Sequence, residues 1–216
     1  MVSEPSVKRT VTFFDGQNLY HSVREAFGYF HPNYDVLSLS KAVCANKGWD
    51  LQQVRFYTGV PDLTDDRLWH GFWENKLQAF RDQGVYVFSR PLRYNNQVIK
   101  LPDGSKYTFL VGREKGIDVR IALDVIRLAH LREYDVALIF SQDQDLSELF
   151  EEIRIIAREQ ERWIRIACAF PTSPTAINDR GINRTEWIKI DRKLYDANID
   201  NKDYRQESSE SKPDPS

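Results

Sequence analysis

Val136-Ala-Leu-Ile-Phe140 is a run of five apolar residues followed at once by Ser141-Gln-Asp-Gln-Asp145. A strand this short and this apolar has no polar face to offer water, so it must be covered on both sides. Such strands sit in the middle of a parallel sheet, and acids that follow one fall where the sheet ends. Other short runs fit the same pattern. Val11-Thr-Phe-Phe14, Gln53-Val-Arg-Phe-Tyr-Thr58 and Val85-Tyr-Val-Phe88 precede it; Trp163 to Ala169 and an edge strand at Trp187-Ile-Lys-Ile190 follow.

The intervening segments have helical periodicity. Asp65 to Gln83 places Leu68, Trp69, Phe72, Trp73, Leu77 and Phe80 on one side, with Gly84 as its stop. Ile117 to Leu131 carries a broad apolar face of Ile117, Ile121, Leu123, Val125, Leu128 and Leu131. Leu146 to Gln160 repeats the pattern with Leu149, Ile153, Ile156 and Ala157. The tryptophans fall in or beside these segments and are expected in the core. Alternating strands and helices, joined by right-handed crossovers, specify an α/β fold: three layers, with a central, mainly parallel sheet flanked by helices.

Arg90 to Gly112 is too long for a simple connection. Its Leu101-Pro-Asp-Gly-Ser105 centre, flanked by Val98-Ile99 and Tyr107 to Val111, predicts a β-hairpin insertion over 90–112. The expected organisation is a flexible N-terminus at 1–9, one domain over 10–202 and a disordered acidic tail over 203–216.

Several classes are excluded. Gly-Lys-Ser/Thr and GxGxxG are both absent, which removes the main support for an ATPase or a dinucleotide dehydrogenase. Cys44 and Cys168 are the only cysteines, so neither a disulfide scaffold nor a paired-cysteine zinc site is expected. Met1 to Arg9 lacks the apolar core of a signal peptide, and no apolar run could span a bilayer. A soluble, cytoplasmic protein with no membrane partner is the expectation; a homodimer is compatible with the sequence but not derivable from it. The four histidines are scattered, and Ser141 lies in no GxSxG, so neither a histidine site nor a serine nucleophile is expected.

Asp15 directly follows the first strand, Asp143 and Asp145 follow the strongest later one, and Asp118 opens a helix. Each alone could be a turn, an N-cap or a first-turn acid. In a parallel sheet, however, strand C-termini and the helix N-termini that follow share one edge. If the first strand and the strand ending at Phe140 are neighbours, the acids converge in the crevice at a topological switch point. Two carboxylates about 4 Å apart repel by roughly 4 kcal/mol at an effective dielectric of 20. A hard divalent cation removes that cost, and an all-oxygen set favours Mg²⁺ or Mn²⁺ over Zn²⁺. Asp124 is six residues from Asp118, about 120° off its helical face; it is spaced to pair with Arg120 or Arg127, and a direct metal role is the alternative.

Arg90, Arg93, Lys100, Lys106, Arg113 and Lys115 face only two acids in their segment, Asp103 and Glu114. A basic flap beside an acidic site suits phosphate capture, with Tyr94 or Tyr107 available to stack on bases; the alternative is a hairpin kept soluble by its charges. The chain's net charge of −2 equals that of the segment from Asp203 onward, so the folded body is neutral overall and polarised locally.

Phe14-Asp-Gly-Gln-Asn18, Lys115-Gly-Ile-Asp118 and Ser141-Gln-Asp-Gln-Asp145, in this order, resemble the NYN-domain proteins of the PIN-like nuclease superfamily over roughly residues 10–190. The resemblance implies a Rossmann-like, PIN-like fold and a metal-dependent ribonuclease that hydrolyses phosphodiester bonds of single-stranded RNA by a metal-activated water. It implies Asp15, Asp118, Asp143 and Asp145 as catalytic and metal-coordinating acids. Asn18 and Ser141 would orient carboxylates or phosphate, and Arg113 and Lys115 would neutralise the RNA backbone. Gln142 departs from the glycine more usual there. The alternative is a non-catalytic RNA-binding or regulatory module that retains the acidic site. Two other Mg²⁺ phosphohydrolase classes fit less well. Asp15-Gly-Gln-Asn18 lacks the second aspartate of haloacid dehalogenase-like phosphatases, and toprim-like enzymes place Glu after an early strand.

Overall fold

The computed structural model describes residues 2–205, apart from the side chains of Phe109 and Leu110. Its centre is a six-stranded parallel sheet of β1 (Arg9–Asp15), β2 (Asp50–Val60), β3 (Tyr86–Pro91), β6 (Val136–Phe140), β7 (Arg165–Pro171) and β8 (Glu186–Ile190). The order is β3-β2-β1-β6-β7-β8, so the chain leaves β1 in one direction and returns on its other side at β6. β1 and β6 are paired neighbours in register from Thr10↔Val136 to Phe14↔Phe140. That is the switch point the acids require.

Helices cover both faces because the β1 side chains alternate. Phe14 points into a core with α1 (Gly16–Phe27), α2 (Val36–Lys47), α3 (Arg67–Asp82) and α6 (Arg192–Asp196). Phe13 points into a second core with α4 (Ile117–His130) and α5 (Leu149–Glu159). All five residues of β6 are buried, as their uniform apolarity demands. β4 (Arg93–Lys100) and β5 (Lys106–Arg113) form the expected antiparallel hairpin, separate from the sheet.

Some expectations shift. Leu68, Leu123 and Leu131 are exposed rather than on core faces, and Trp187 is partly exposed, with its indole N–H on the Ile182 carbonyl. The strand expected from Trp163 begins at Arg165. Ordered chain also starts and ends outside the expected bounds. Arg9 opens β1 with its N–H and guanidinium on Asp135. Tyr204, assigned to the tail, is buried at 4% exposure against Phe72, beside the buried Lys76–Asp200 ion pair. The rest of the expected tail, 206–216, lies outside the described residues. Among the described residues, no helix is long and apolar enough to cross a membrane.

Candidate active site

Asp15 closes β1 and caps α1, its Oδ1 accepting the Asn18 N–H at 3.1 Å. The next residue must be glycine. A Cβ on Gly16 would lie 2.6 Å from the Phe56 ring and 2.9 Å from the Tyr57 carbonyl, so β2 packs directly on the start of α1. Gly16→Ala is expected to destabilise the fold by about 1–3 kcal/mol through this overpacking. Urea unfolding reads that loss, and an unchanged midpoint would contradict the close approach.

Residues after β6 are tied to the same point. Ser141 is buried; its Oγ donates to Asp15 Oδ2 at 3.3 Å and accepts the Asp143 N–H at 3.1 Å. Asn18 Oδ1 accepts the Gln142 N–H at 2.8 Å. Ser141 thus touches the Asp15 carboxylate itself, and the Asn18 side chain touches the peptide next to Asp143. Asp143 caps the short 3-10 helix over Gln144–Glu148 by accepting the Asp145 N–H at 3.0 Å. Gln142 has no left-handed backbone, so glycine is not needed there. Its side chain instead donates to the Asn178 and Arg180 carbonyls, anchoring the loop that leads to β8.

Asp118 lies in the first turn of α4, where Gly116 is the N-cap and no side chain caps the helix. Its charge reaches Asp15, as does that of Asp143. Asp145 is exposed, and neither Asp15 nor Glu114 has it among the charges acting most strongly on them. Arg113 and Lys115 are exposed at the root of the hairpin.

Glu114 was not singled out as a site residue from the sequence. Its carboxylate accepts the Gly59 N–H at the end of β2, with Thr58 also donating, and it interacts directly with the charges of Asp15 and Asp118. The available signal was an acid four residues before Asp118, but the surrounding basic segment masked it. The partner that fixes Glu114 comes from β2, far away in sequence.

The electrostatics follow from burial. Loss of water pushes the Asp15 carboxyl up to about 6; the Asn18 N–H opposes the rise, the Asp143 charge adds to it, Ser141 opposes and Asp118 adds. Burial and then the Asp15 charge push Glu114 up to about 8, against hydrogen bonds from Gly59 and Thr58. All the charges acting most strongly on this pair are acidic. The donors are oxygens throughout, which fits a hard cation. Among the described residues, no three His, Cys, Asp or Glu side chains are grouped closely enough to hold an ion as they stand. Mg²⁺ is compatible with that spacing, because it keeps several waters and takes only one or two carboxylates directly.

Asp124 faces away from this centre. It is buried with Oδ2 accepting Arg55 Nη2 at 2.9 Å and Tyr57 Oη at 2.8 Å, while Oδ1 takes Arg120 Nη2 at 2.9 Å. Of its two candidate helical partners, it pairs with Arg120.

No curated protein matches the chain. A protein of unknown function from Vibrio parahaemolyticus is similar at 23% identity, over 86% of this chain and 94% of that one, with a TM-score of 0.49. A ribokinase from Giardia lamblia is similar at 12% identity, over 58% of this chain and 36% of that one, with a TM-score of 0.31. Neither likeness bears on activity. Residues 9–175, from the first residue of β1 to beyond β7, match the family described as NYN domain. With its acids at the β1–β6 switch point of a parallel sheet, the chain belongs to the NYN-domain family of the PIN-like superfamily, whose fold is nuclease-like.

Proposed function

We propose that the chain is a Mg²⁺- or Mn²⁺-dependent ribonuclease acting on single-stranded RNA. The observation that carries this reading is the pair of carboxylates at the switch-point crevice: buried Asp15, raised by burial and by the Asp143 and Asp118 charges, and half-buried Glu114, raised by burial and by the Asp15 charge. Such a site is unstable as a bare anion cluster and is relieved by a cation. Asp15, Asp118 and Asp143 would hold the ion directly or through water, with Asp145 and Glu114 reaching it through water. When bound, the metal supplies charge neutralisation and an activated water for attack on phosphorus, leaving 5′-phosphate and 3′-hydroxyl ends.

The protein's own groups have separable roles. Ser141 holds Asp15 and the Asp143 backbone together, and Asn18 fixes the Gln142 peptide so that the loop after β6 cannot swing. Glu114 is the group best placed to hold a proton near neutrality, because its raised pKa lies close to working pH. On the hairpin, Arg93 stands opposite Arg113 and Lys100 opposite Lys106. Like charges facing across a strand pair cost stability, and a polyanion laid along the hairpin removes that cost.

The test is cleavage of a 5′-labelled unstructured RNA in Mn²⁺ and after chelation. Chelation is expected to abolish cleavage, and Asp143→Asn to lower it about 100-fold with circular dichroism unchanged, as loss of several kcal/mol of charge stabilisation implies. Equal cleavage by wild type and variant would overturn the reading. RNA bound but uncleaved in every divalent metal would assign a binding module instead.

A further inference from the structure

Beside the acids lies a cleft of ≈ 360 Å³ lined by residues including Gly16, Gln17, Tyr20, His21, Trp69 and Trp73. We infer that it seats one unpaired nucleobase of the RNA strand whose phosphate lies at the acidic centre. This deepens the ribonuclease reading and rests on it for the identity of the strand.

Position is the first argument. Gly16 follows Asp15 in the chain, and Gly59, also in the cleft wall, donates its N–H to Glu114. A ligand in the cleft therefore touches the residue that follows Asp15 and the Gly59 peptide that holds the Glu114 carboxylate. Leu92 and Gly112, at the roots of β4 and β5, form another part of the wall. The basic hairpin thus rises from the rim of the cleft, where the phosphates on either side of the seated base would pass.

Chemistry is the second. The volume is at the lower end of the roughly 300–1,000 Å³ of small-molecule clefts, which suits one heterocycle better than an extended ligand. The aromatic lining is held in place. The Trp69 ring lies edge-on to Phe72 at 5.0 Å, and its backbone N–H, held by the Asp66 cap, fixes the residue at the start of α3. Trp73 is buried against Phe56 and Phe72. Tyr20 donates its hydroxyl to the Phe30 carbonyl, and its ring lies 5.3 Å from that of His21. Rings immobilised before binding lose little entropy when a base stacks on them. Gln17 and His21, also in the cleft wall, offer donors and acceptors for the polar edge of a base.

The experiment uses the full chain and an unstructured RNA carrying 2-aminopurine at each position in turn, with Ca²⁺ replacing Mn²⁺. One position is expected to be quenched on binding. Trp69→Ala should remove that quench and weaken binding roughly 5- to 150-fold, the range that stacking of about 1–3 kcal/mol per base converts to. Trp69→Phe should retain most of both. An abasic nucleotide at the same position should cost wild type as much as Trp69→Ala does, and combining the two should add nothing. Additive losses, or a quench insensitive to Trp69→Ala, would overturn the base pocket. The two readings fail separately. Trp69-dependent binding without cleavage in any metal keeps the pocket and removes the hydrolase. Cleavage with KM unchanged by Trp69→Ala does the reverse.

Discussion

Asp15→Asn is expected to make the protein more stable at pH 8 while lowering metal-dependent cleavage by on the order of 10³-fold. The two effects share one cause. The folded pKa of Asp15, about 6, is above the usual 3.8, with burial the largest reason. A carboxyl with a raised folded pKa stabilises the fold fully below pH 3.8, and that contribution is lost as pH climbs through 6. At pH 8 the wild-type site therefore carries a penalty of about 3 kcal/mol, at about 1.4 kcal/mol per pKa unit. The amide keeps an oxygen for the Asn18 N–H and carries no charge, so it removes most of that penalty. Urea unfolding at pH 8 should show the gain, and at pH 4 the two proteins should nearly coincide. A variant less stable than wild type at pH 8 would contradict the electrostatic account.

Asp124→Ala is expected to act in the opposite direction, destabilising the fold by about 3–5 kcal/mol. Removing one partner of a buried ion pair leaves the other without compensation. Arg55 is nearly as buried as Asp124, and its guanidinium also lies 3.6 Å from the centre of the Tyr86 ring, so it cannot turn to water. Tyr57 Oη would lose its acceptor as well. Asp124→Asn keeps an acceptor for Tyr57 and should fall between the two. Urea unfolding at pH 7 measures both variants. A loss below about 1 kcal/mol for Asp124→Ala would show that the Arg55 and Arg120 contacts contribute little. Because this network ties α4 to β2, it also supports the position of Asp118 about one and two-thirds turns earlier in the helix.

The sheet and the switch point were legible because β6 is apolar throughout and its neighbours are short and similar. The hairpin was legible from Leu101-Pro-Asp-Gly-Ser105, which forms its turn with Gly104 at φ +83° and Asp103 accepting the Ser105 N–H. Helical arithmetic separated Asp124 from Asp118 and narrowed its partner to Arg120 or Arg127, of which the structure pairs it with Arg120. It could not reveal Arg55 and Tyr57, which come from a strand 67 or more residues away in sequence. Leu123 and Leu131 misled for a different reason, since hydrophobicity alone does not say which side of a helix is covered. Glu114 was hidden by its local charge context. Its role depends on a β2 backbone N–H and on Asp15, and neither contact leaves a periodic trace in the chain. The aromatic cleft was hidden in the same way, because Tyr20 and Trp69 meet only after α1 and α3 have docked on the same sheet face.

The central claim is that the acids at the β1–β6 crevice hold a divalent metal. Crystals grown or soaked in Mn²⁺ and measured near its absorption edge test it directly. The account predicts an anomalous peak within about 2.5 Å of a carboxylate oxygen of Asp15 or Asp143, with Asp118 in contact directly or through one water. No peak in that crevice at saturating Mn²⁺, or a peak only elsewhere on the protein, would contradict it.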